Sequence, residues 1–169
     1  MQMQKITPCL WFDDQAEEAV NFYVSVFPNS RIETITRYGP AAAEAVGRPE
    51  GTVLTILFQL SGQKFLALNG GPVFTFSPAI SFMVDCQTQA EVDELWETLS
   101  AGGEIQQCGW LQDRYGVSWQ IVPTVLGEML RDKDAEKSER VMKAMLQMKK
   151  LEIKTLEQAY EQEPVASSA

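Results

Sequence analysis

The sequence predicts an α+β fold that contains two β-α-β-β-β modules. Strand-like apolar stretches occur in the same order around one amphipathic helix in each half of the chain. The halves also align at an offset of 72 residues, which pairs Val20 with Val92 and Phe27 with Leu99. A stretch containing glycine and proline, Asn69–Pro72, separates them. A chain of 169 residues is long enough to bury the apolar core that two such modules need.

The first module begins with an apolar strand over residues 6–12. A helix follows, for which Asp13 and Asp14 offer N-cap oxygens. Its apolar residues recur at three- and four-residue spacing until Pro28-Asn29-Ser30 ends it. The remaining elements are strands over 31–38, 52–60 and 63–68, a hairpin turn at Ser61-Gly62, and a mobile loop over 39–51.

The second module repeats this order. A strand over 79–84 ends at Asp85, and a helix over 88–100 ends at Gly102-Gly103. The helix buries one apolar face, formed by Val92, Leu95, Trp96 and Leu99. Three short strands complete the module, over 104–110, 111–113 and 118–122.

The composition changes near Gly127. Residues 1–127 carry six basic and fourteen acidic side chains, whereas residues 128–169 carry eight and nine. The second stretch is interpreted as a long helix with a methionine-rich apolar stripe, which covers either its own sheet or the surface of a partner. The predicted organisation is one domain over 1–127 with modules over about 1–72 and 73–127, a helical arm over 128–163, and a disordered tail over 164–169.

The composition also excludes several classes of function. The chain has no histidine, so zinc sites with histidine ligands and nucleophile–histidine pairs are impossible. A net charge of −9 argues against a nucleic-acid partner, which would need a basic face. No apolar run has the length of a membrane-spanning helix, and the N-terminus lacks the pattern of a signal peptide. Three cysteines without CxxC spacing are typical of a reducing compartment, so we expect a cytoplasmic protein.

Seven strings in the chain are specific enough to compare with known families: Pro8–Phe12, Ala16–Ala19, Phe22-Tyr23, Phe27–Ser30, Leu66–Pro72, Cys108–Leu111 and Asp113–Gln120. They resemble the PhnB-like proteins, in the branch described as 3-demethylubiquinone-9 3-methyltransferase-like. This branch belongs to the glyoxalase/bleomycin resistance/dioxygenase superfamily, also called vicinal oxygen chelate. The resemblance implies a glyoxalase-like fold, in which the two modules form a curved mixed sheet around a cleft, and it implies a homodimer.

The residues do not support methyl transfer itself. A typical S-adenosylmethionine site lies at a glycine-rich turn between a parallel strand and a helix. The close glycine pairs in this chain are Gly70-Gly71, which precedes a proline, and Gly102-Gly103, which follows a helix. Neither pair opens a helix in a β-α-β unit.

The resemblance also implies where a metal would be bound. The superfamily's metal enzymes place histidine, glutamate or glutamine at inward strand positions, which fall in this chain near Cys9, Gln59, Ala79 or Ser81, and Gln120. This set contains neither imidazole nor carboxylate, so a divalent ion would lack compensating charge. We therefore expect no catalytic metal and no other cofactor, with a divalent metal as the alternative.

The expected cleft is lined by aromatic, amide and thiol side chains, which suit a planar or apolar organic ligand. Strand residues alternate between faces and tryptophans are common in cores, so some of these residues serve packing instead. Asn69 with Gly70 is also a candidate turn that needs positive φ. The candidate ligand-binding residues are Cys9, Trp11, Gln59, Asn69, Cys108, Trp110, Trp119 and Gln120.

We thus interpret the chain as a small-molecule-binding protein whose biochemical role is unassigned. One alternative is a superfamily enzyme, a lyase, isomerase or dioxygenase, with a non-standard site. Another is a drug-sequestering protein of the resistance type. Thiol catalysis by Cys9 or Cys108 would need nearby cations to lower the thiol pKa, and basic residues are scarce before residue 128.

Overall fold

The computed structural model describes residues 4–162 and divides into two compact units, Met1–Phe76 and Ser77–Ala169. Each unit contains one four-stranded sheet, so the predicted α+β class and the two β-α-β-β-β modules are confirmed. The strands are β1 (Cys9–Phe12), β2 (Arg31–Arg37), β3 (Val53–Leu60), β4 (Gln63–Asn69), β5 (Phe82–Cys86), β6 (Glu104–Ile105), β7 (Trp110–Gln112) and β8 (Ser118–Pro123). The helices are α1 (Ala16–Val26), α2 (Pro40–Val46), α3 (Gln89–Ser100), α4 (Thr124–Leu130), α5 (Ala135–Leu146) and α6 (Ile153–Glu161).

The sheet of the first unit has the strand order β1-β4-β3-β2. β1 runs parallel to β4, and the other neighbours are antiparallel. Leu10, Ala67 and Ile56 lie side by side across β1, β4 and β3, and all three are buried on the side of the sheet that packs against α1. The predicted hairpin turn between β3 and β4 is confirmed, because Ser61 and Gly62 both adopt positive φ, at 45° and 87°.

The sheet of the second unit repeats this topology, with the order β5-β8-β7-β6 and a parallel β5–β8 pair. Trp119 and Ile121 of β8 are buried on the side that packs against α3. Val20 in α1 and Val92 in α3, which the internal repeat pairs, are both fully buried. The repeat read from the sequence is therefore a repeat of packing as well as of element order.

Two predictions in the first module are wrong in detail. Residues 39–51 contain the helix α2, which has Pro40 in its first turn and ends at Gly47 in the left-handed conformation. Helix α1 begins after Gln15, so Asp13 and Asp14 do not cap it. Asp13 instead forms an ion pair with Arg48, with 2.8 Å between Oδ1 and Nη2.

Several strands are shorter than predicted. The sequence predicts the second strand of the second module over 104–110, but β6 ends at Ile105. Cys108 and Gly109 have φ of 57° and 81°, which a β-strand does not adopt, and this interrupts the extended backbone before β7. β1 and β5 likewise begin later than expected, at Cys9 and Phe82.

The long C-terminal helix is confirmed only in its helical content, because the region forms the three helices α4, α5 and α6. The break before α5 has a local cause. Asp134 caps this helix, since its Oδ1 accepts hydrogen bonds from the backbone N–H groups of Glu136 and Lys137 at 3.0 and 3.3 Å. The predicted tail over 164–169 lies outside the described residues.

The three C-terminal helices pack on one another and on the second unit, as expected if the arm covers its own chain. Their fully buried side chains Val141, Leu151 and Leu156 form one cluster with Leu126 and Met129. No helix in the described part of the chain combines the length and the apolar character that crossing a membrane requires.

Candidate ligand-binding faces of the two sheets

Each sheet has one face that points away from the helix of its module, and most candidate residues lie on these faces. We call them the α1-distal face, on the first sheet, and the α3-distal face, on the second. The strand register assigns residues to each face by alternation. The α1-distal face carries Cys9, Trp11, Thr55, Leu57, Gln59, Lys64, Leu66 and Leu68. The α3-distal face carries Met83, Asp85, Trp110, Gln112, Ser118, Gln120 and Val122.

Trp11 is fixed by the residues that follow β4. Its Nε1 donates to the carbonyl oxygen of Gly71 at 2.9 Å, and the ring of Phe74 meets the indole edge-on at 5.0 Å. Gly70 lies directly against the indole, since a Cβ added there would be 2.2 Å from Cζ2. The positive φ expected at Asn69-Gly70 is instead found at Gly71, at 91°. Trp11 therefore anchors this segment, and its N–H is not available to a ligand.

Asn69 lies on the opposite side of the first sheet, among buried residues of the module core. Its Oδ1 accepts from the N–H of Ala16 at 2.9 Å, and its Nδ2 donates to the carbonyl oxygen of Val53 at 3.2 Å. Its backbone carbonyl accepts from the Tyr38 hydroxyl at 2.6 Å. These bonds tie β4 to the start of α1 and to β3, which is a structural role for the side chain.

Gln59 is almost completely buried near the end of β3, opposite Lys64 of β4. The Nζ of Lys64 lies 3.0 Å from Oε2 of Glu33, and Arg31 contacts the other oxygen of the same carboxylate at 3.3 Å. This end of the α1-distal face is thus occupied by a cluster of ion pairs. The other end, around Cys9 and Trp11, is uncharged.

The three cysteines are free and differ in their surroundings. Cys9 is on the α1-distal face, where surrounding protein atoms desolvate the thiol and raise its pKa. Cys86 is buried, and desolvation together with the charges of Glu91 and Asp85 raises its pKa to about 12. A raised pKa keeps a thiol protonated and unreactive near neutral pH, so Cys9 and Cys86 do not have the properties of activated nucleophiles.

Cys108 and Gly109 form the docking point of the C-terminal region. The N–H of Cys108 donates to the carbonyl oxygen of Met148 at 2.8 Å, and the N–H of Gly109 to that of Lys149 at 2.7 Å. A Cβ at Gly109 would lie 2.8 Å from the carbonyl oxygen of Ile121 and 2.9 Å from Leu151 Cδ1. The Cys108-Gly109 string is thus explained by packing within the second unit.

On the α3-distal face, Met83, Gln120 and Trp110 lie side by side across β5, β8 and β7. Met83 is 59% exposed, and Trp110 and Gln120 are half-buried. The Nε2 of Gln120 donates to Oγ of Ser81 at 2.9 Å. Met83 was missed by the sequence reasoning, although its place two residues after Ser81 in an alternating strand was a usable signal.

Ser118 lies on the same face, two residues before Gln120. The residue is 2% exposed, and its Oγ has no hydrogen-bond partner in the described part of the chain. Buried polar atoms are nearly always paired, so this hydroxyl is an exception in the interior of the second unit. In the sequence, Ser118 could have been noticed as a polar residue at the start of an otherwise largely apolar strand.

Trp119 points to the other side of β8 and is buried against the core of the second unit. Its Nε1 donates to Oδ2 of Asp113 at 2.8 Å. The Oδ1 of Asp113 accepts from the N–H groups of Tyr115 and Val117, at 2.8 and 3.1 Å. The buried carboxylate of Asp113 therefore organises the β7–β8 hairpin, and much of the string 113–120 has this structural role.

The four positions assigned to metal ligands by resemblance do not fit a divalent ion. They offer only a thiol, amides and a hydroxyl. Two of them, Ser81 and Gln120, are hydrogen-bonded to each other. Within residues 4–162, no group of three or more histidine, cysteine, aspartate or glutamate side chains is placed to hold a metal ion. Hard divalent ions prefer carboxylates that balance their charge, which this donor set lacks.

A separate groove of about 380 Å³ lies between α5 and α6. It is shallow and wide open, and most of its polar side chains are exposed to solvent. Arg140 uses its Nε and Nη2 to bind the carbonyl oxygens of Ala159 and Tyr160 at the end of α6, at 2.9 and 3.0 Å. The groove is therefore best explained as the junction of two helices. Its lining residues are Arg140, Lys143, Ala144, Thr155, Gln158, Ala159 and Gln162.

Comparisons with known proteins support the fold. Residues 4–122 match the family model described as 3-demethylubiquinone-9 3-methyltransferase. The solved structure of the PhnB protein from Bacillus cereus is 40% identical, covers 72% of this chain and 100% of its own, and superposes with a TM-score of 0.64. A protein from Pseudomonas aeruginosa is 19% identical over 72% of this chain and 98% of its own, with a TM-score of 0.58.

The fosfomycin resistance protein FosX from Listeria monocytogenes has the same fold. It superposes with a TM-score of 0.54 at 16% identity, covering 78% of this chain and 100% of its own. At this identity the likeness concerns the fold alone. A search of curated protein sequences finds no match.

Proposed function

The chain belongs to the 3-demethylubiquinone-9 3-methyltransferase family, within the glyoxalase/vicinal oxygen chelate superfamily, and we propose that it binds a small organic molecule without a catalytic metal. The observation that carries this proposal is the chemistry of the two distal faces. They present half-buried tryptophans next to uncharged amide, hydroxyl and thiol groups, at the positions where metal ligands would be expected. Such surfaces suit stacking and hydrogen bonding to an organic molecule.

The methyl-transfer reaction in the family's description is not part of this proposal. Each sheet contains one parallel pair, β1–β4 or β5–β8, and its other strands are antiparallel. Gly70 packs on Trp11, and Gly103 lies against the backbone at Gln112 and Asp113. Both glycines thus have packing roles, and neither is part of a glycine-rich turn opening a helix, as a typical S-adenosylmethionine site requires.

The proposal includes a homodimer in the cytoplasm. The free cysteines are consistent with a reducing compartment. Three large apolar side chains in the segment that links β4 to β5 are solvent-exposed in the single chain, with Val73 at 68%, Phe74 at 61% and Ile80 at 75%. Exposed apolar side chains of this size are candidates for an interface with a second copy of the chain.

An enzyme with a non-standard site has less support. Its nucleophile would have to be Cys9 or Cys108, and the Cys9 thiol has a raised pKa. A drug-sequestering protein would share the binding proposed here and differ only in its ligand, so the first experiment is the same for both.

The test is a metal and ligand inventory of the purified full chain. We expect substoichiometric zinc, manganese, nickel and iron by elemental analysis. We also expect no rise in melting temperature when these ions are added, whereas a bound ligand stabilises the native state by mass action. A library of small organic molecules should contain compounds that raise the melting temperature. A stoichiometric metal that stabilises the protein, or a library without any stabilising compound, would contradict the proposal.

A further inference from the structure

We infer that the α3-distal face takes a planar molecule without negative charge, which stacks on Trp110 and is hydrogen-bonded by Gln120. The inference rests on the proposed function and narrows it in two ways. It names the class of ligand, and it assigns binding to the second unit rather than to Trp11 of the first.

Trp110 differs from the other three tryptophans in its burial and in the hydrogen bonding of its indole N–H. The indole N–H groups of Trp11 and Trp119 already donate to Gly71 and Asp113. Trp96 is buried in the apolar face of α3. The indole of Trp110 is half-buried, and its N–H has no acceptor among residues 4–162. A half-buried ring with a free donor is suited to a ligand that stacks on it and accepts a hydrogen bond.

Gln120 supplies the complementary group beside Trp110. Ser81 holds its amide nitrogen at 2.9 Å, which fixes the amide and leaves Oε1 as an acceptor. Trp110 and Gln120 are directly paired on β7 and β8, so their side chains are neighbours on this face. Met83 lies on the other side of Gln120 and adds an exposed apolar surface. A planar ring bearing a carboxamide matches this arrangement, because it accepts through C=O and donates through N–H.

The charges around this face disfavour an anion. The strands β5, β7 and β8 contain no lysine or arginine, and their one charged side chain is the exposed Asp85. In the flanking segments, Arg114 lies over the ring of Tyr115 at 5.5 Å and Lys150 contacts Asp93 at 2.6 Å. Lys149, whose carbonyl oxygen binds the N–H of Gly109, is exposed to solvent. Recognition of a carboxylate or phosphate generally uses arginine or lysine, which the strands of this face do not supply.

The experiment follows the tryptophan side chains directly. The chain has four tryptophans, so a nitrogen-15-labelled full chain gives four indole N–H signals in a two-dimensional NMR spectrum. Trp110→Phe and Trp11→Phe identify two of them. The labelled protein is titrated with naphthalene-2-carboxamide, and in parallel with naphthalene-2-carboxylate, which has the same ring and a negative charge. We expect the carboxamide to shift the Trp110 signal saturably and to bind about tenfold more tightly than the carboxylate.

Gln120→Ala should weaken binding of the carboxamide by about tenfold, and Gln63→Ala, at the exposed start of β4, should leave it unchanged. Saturable shifts confined to the Trp11 signal, or equal affinity for the two probes, would overturn the inference and leave the proposed function in place. If the carboxamide moves no tryptophan signal, the inference also fails, and the proposed function then depends on its own ligand inventory.

Discussion

Gly70 and Trp11 illustrate how single residues of the family-like strings build the fold. The indole occupies the space that any larger side chain at position 70 would need, and the same indole binds the next carbonyl group along the chain. Asp113 acts similarly in the second module, because three donors of one hairpin converge on its carboxylate. Much of these strings therefore encodes packing, whereas Trp110 and Gln120 lie half-buried on the α3-distal face.

The first prediction concerns Gly70. Gly70→Ala would place Cβ 2.2 to 2.6 Å from three carbon atoms of Trp11, and overpacking of this kind costs about 1–3 kcal/mol of unfolding free energy. Denaturant unfolding of the full chain measures it. Gly39→Ala is the matched control, because no atom lies within 4 Å of a Cβ there, and its effect should stay within about 0.5 kcal/mol. Equal effects of the two substitutions would contradict the assigned contact.

The second prediction concerns Ser118. Burying a hydroxyl without a partner costs about 1–3 kcal/mol, so Ser118→Ala should leave stability unchanged or raise it in the ligand-free protein. Asn69→Ala serves as the contrast, because both polar atoms of that buried amide are bonded, and it should be clearly destabilising. Thermal unfolding of both variants checks this. A marked loss of stability in Ser118→Ala would mean that an internal water or another group satisfies the hydroxyl.

At the scale of elements, the C-terminal region is bound to the second module by its backbone. The Gln89 side chain donates to the carbonyl oxygen of Leu151 at 3.1 Å and accepts from the N–H of Ile153 at 2.8 Å. Together with the bonds from Cys108 and Gly109, this fixes the segment between α5 and α6. The ion pair of Asp93 with Lys150 lies at the same junction.

The third prediction is a dependence of this junction on pH. Hydrogen bonds from Lys150 and Gln89 hold the pKa of Asp93 below its ordinary 3.8. A lowered pKa stabilises the folded state above the ordinary pKa, and this contribution disappears as pH falls through the lowered value. Asp93→Asn should therefore reduce the melting temperature at pH 7, and the difference from the unmodified chain should vanish in strong acid.

Glu94→Gln is the control for this measurement, since Glu94 is an exposed neighbour on the same helix. It should leave the melting temperature unchanged at both pH values. A difference between Asp93→Asn and the unmodified chain that persists in acid would show that the carboxylate charge is not responsible.

At the scale of the whole molecule, the fourth prediction is the oligomeric state. Light scattering should give about twice the chain mass of 18.9 kDa. Ile80→Asp, at a 75% exposed apolar position, should shift the mass toward that of one chain. Leu146→Asp, at a 54% exposed position on α5, should not. A single-chain mass for the unmodified protein would contradict the proposed homodimer.

The two modules could be predicted from sequence because their helices and strands have strong periodicity and recur at a fixed offset. The division of the C-terminal region was harder to predict, since charged residues are dense on both sides of Asp134, which caps a new helix. The site was only partly predictable. In the sequence, Trp11 and Trp110 are both tryptophans in short apolar strands. Only the contacts of Trp11 with Gly70 and Gly71 show that its indole is anchored, whereas that of Trp110 is available.

The backbone hydrogen bonds from Cys108 and Gly109 to Met148 and Lys149 also determine where this chain can be truncated or joined to another protein. The family match ends at residue 122, before α4 begins. A fragment that stopped there would leave two backbone donors without acceptors and would expose side chains that pack against Leu151 and Leu156. In this chain the second module is therefore bound to three helices that lie beyond the end of the family match.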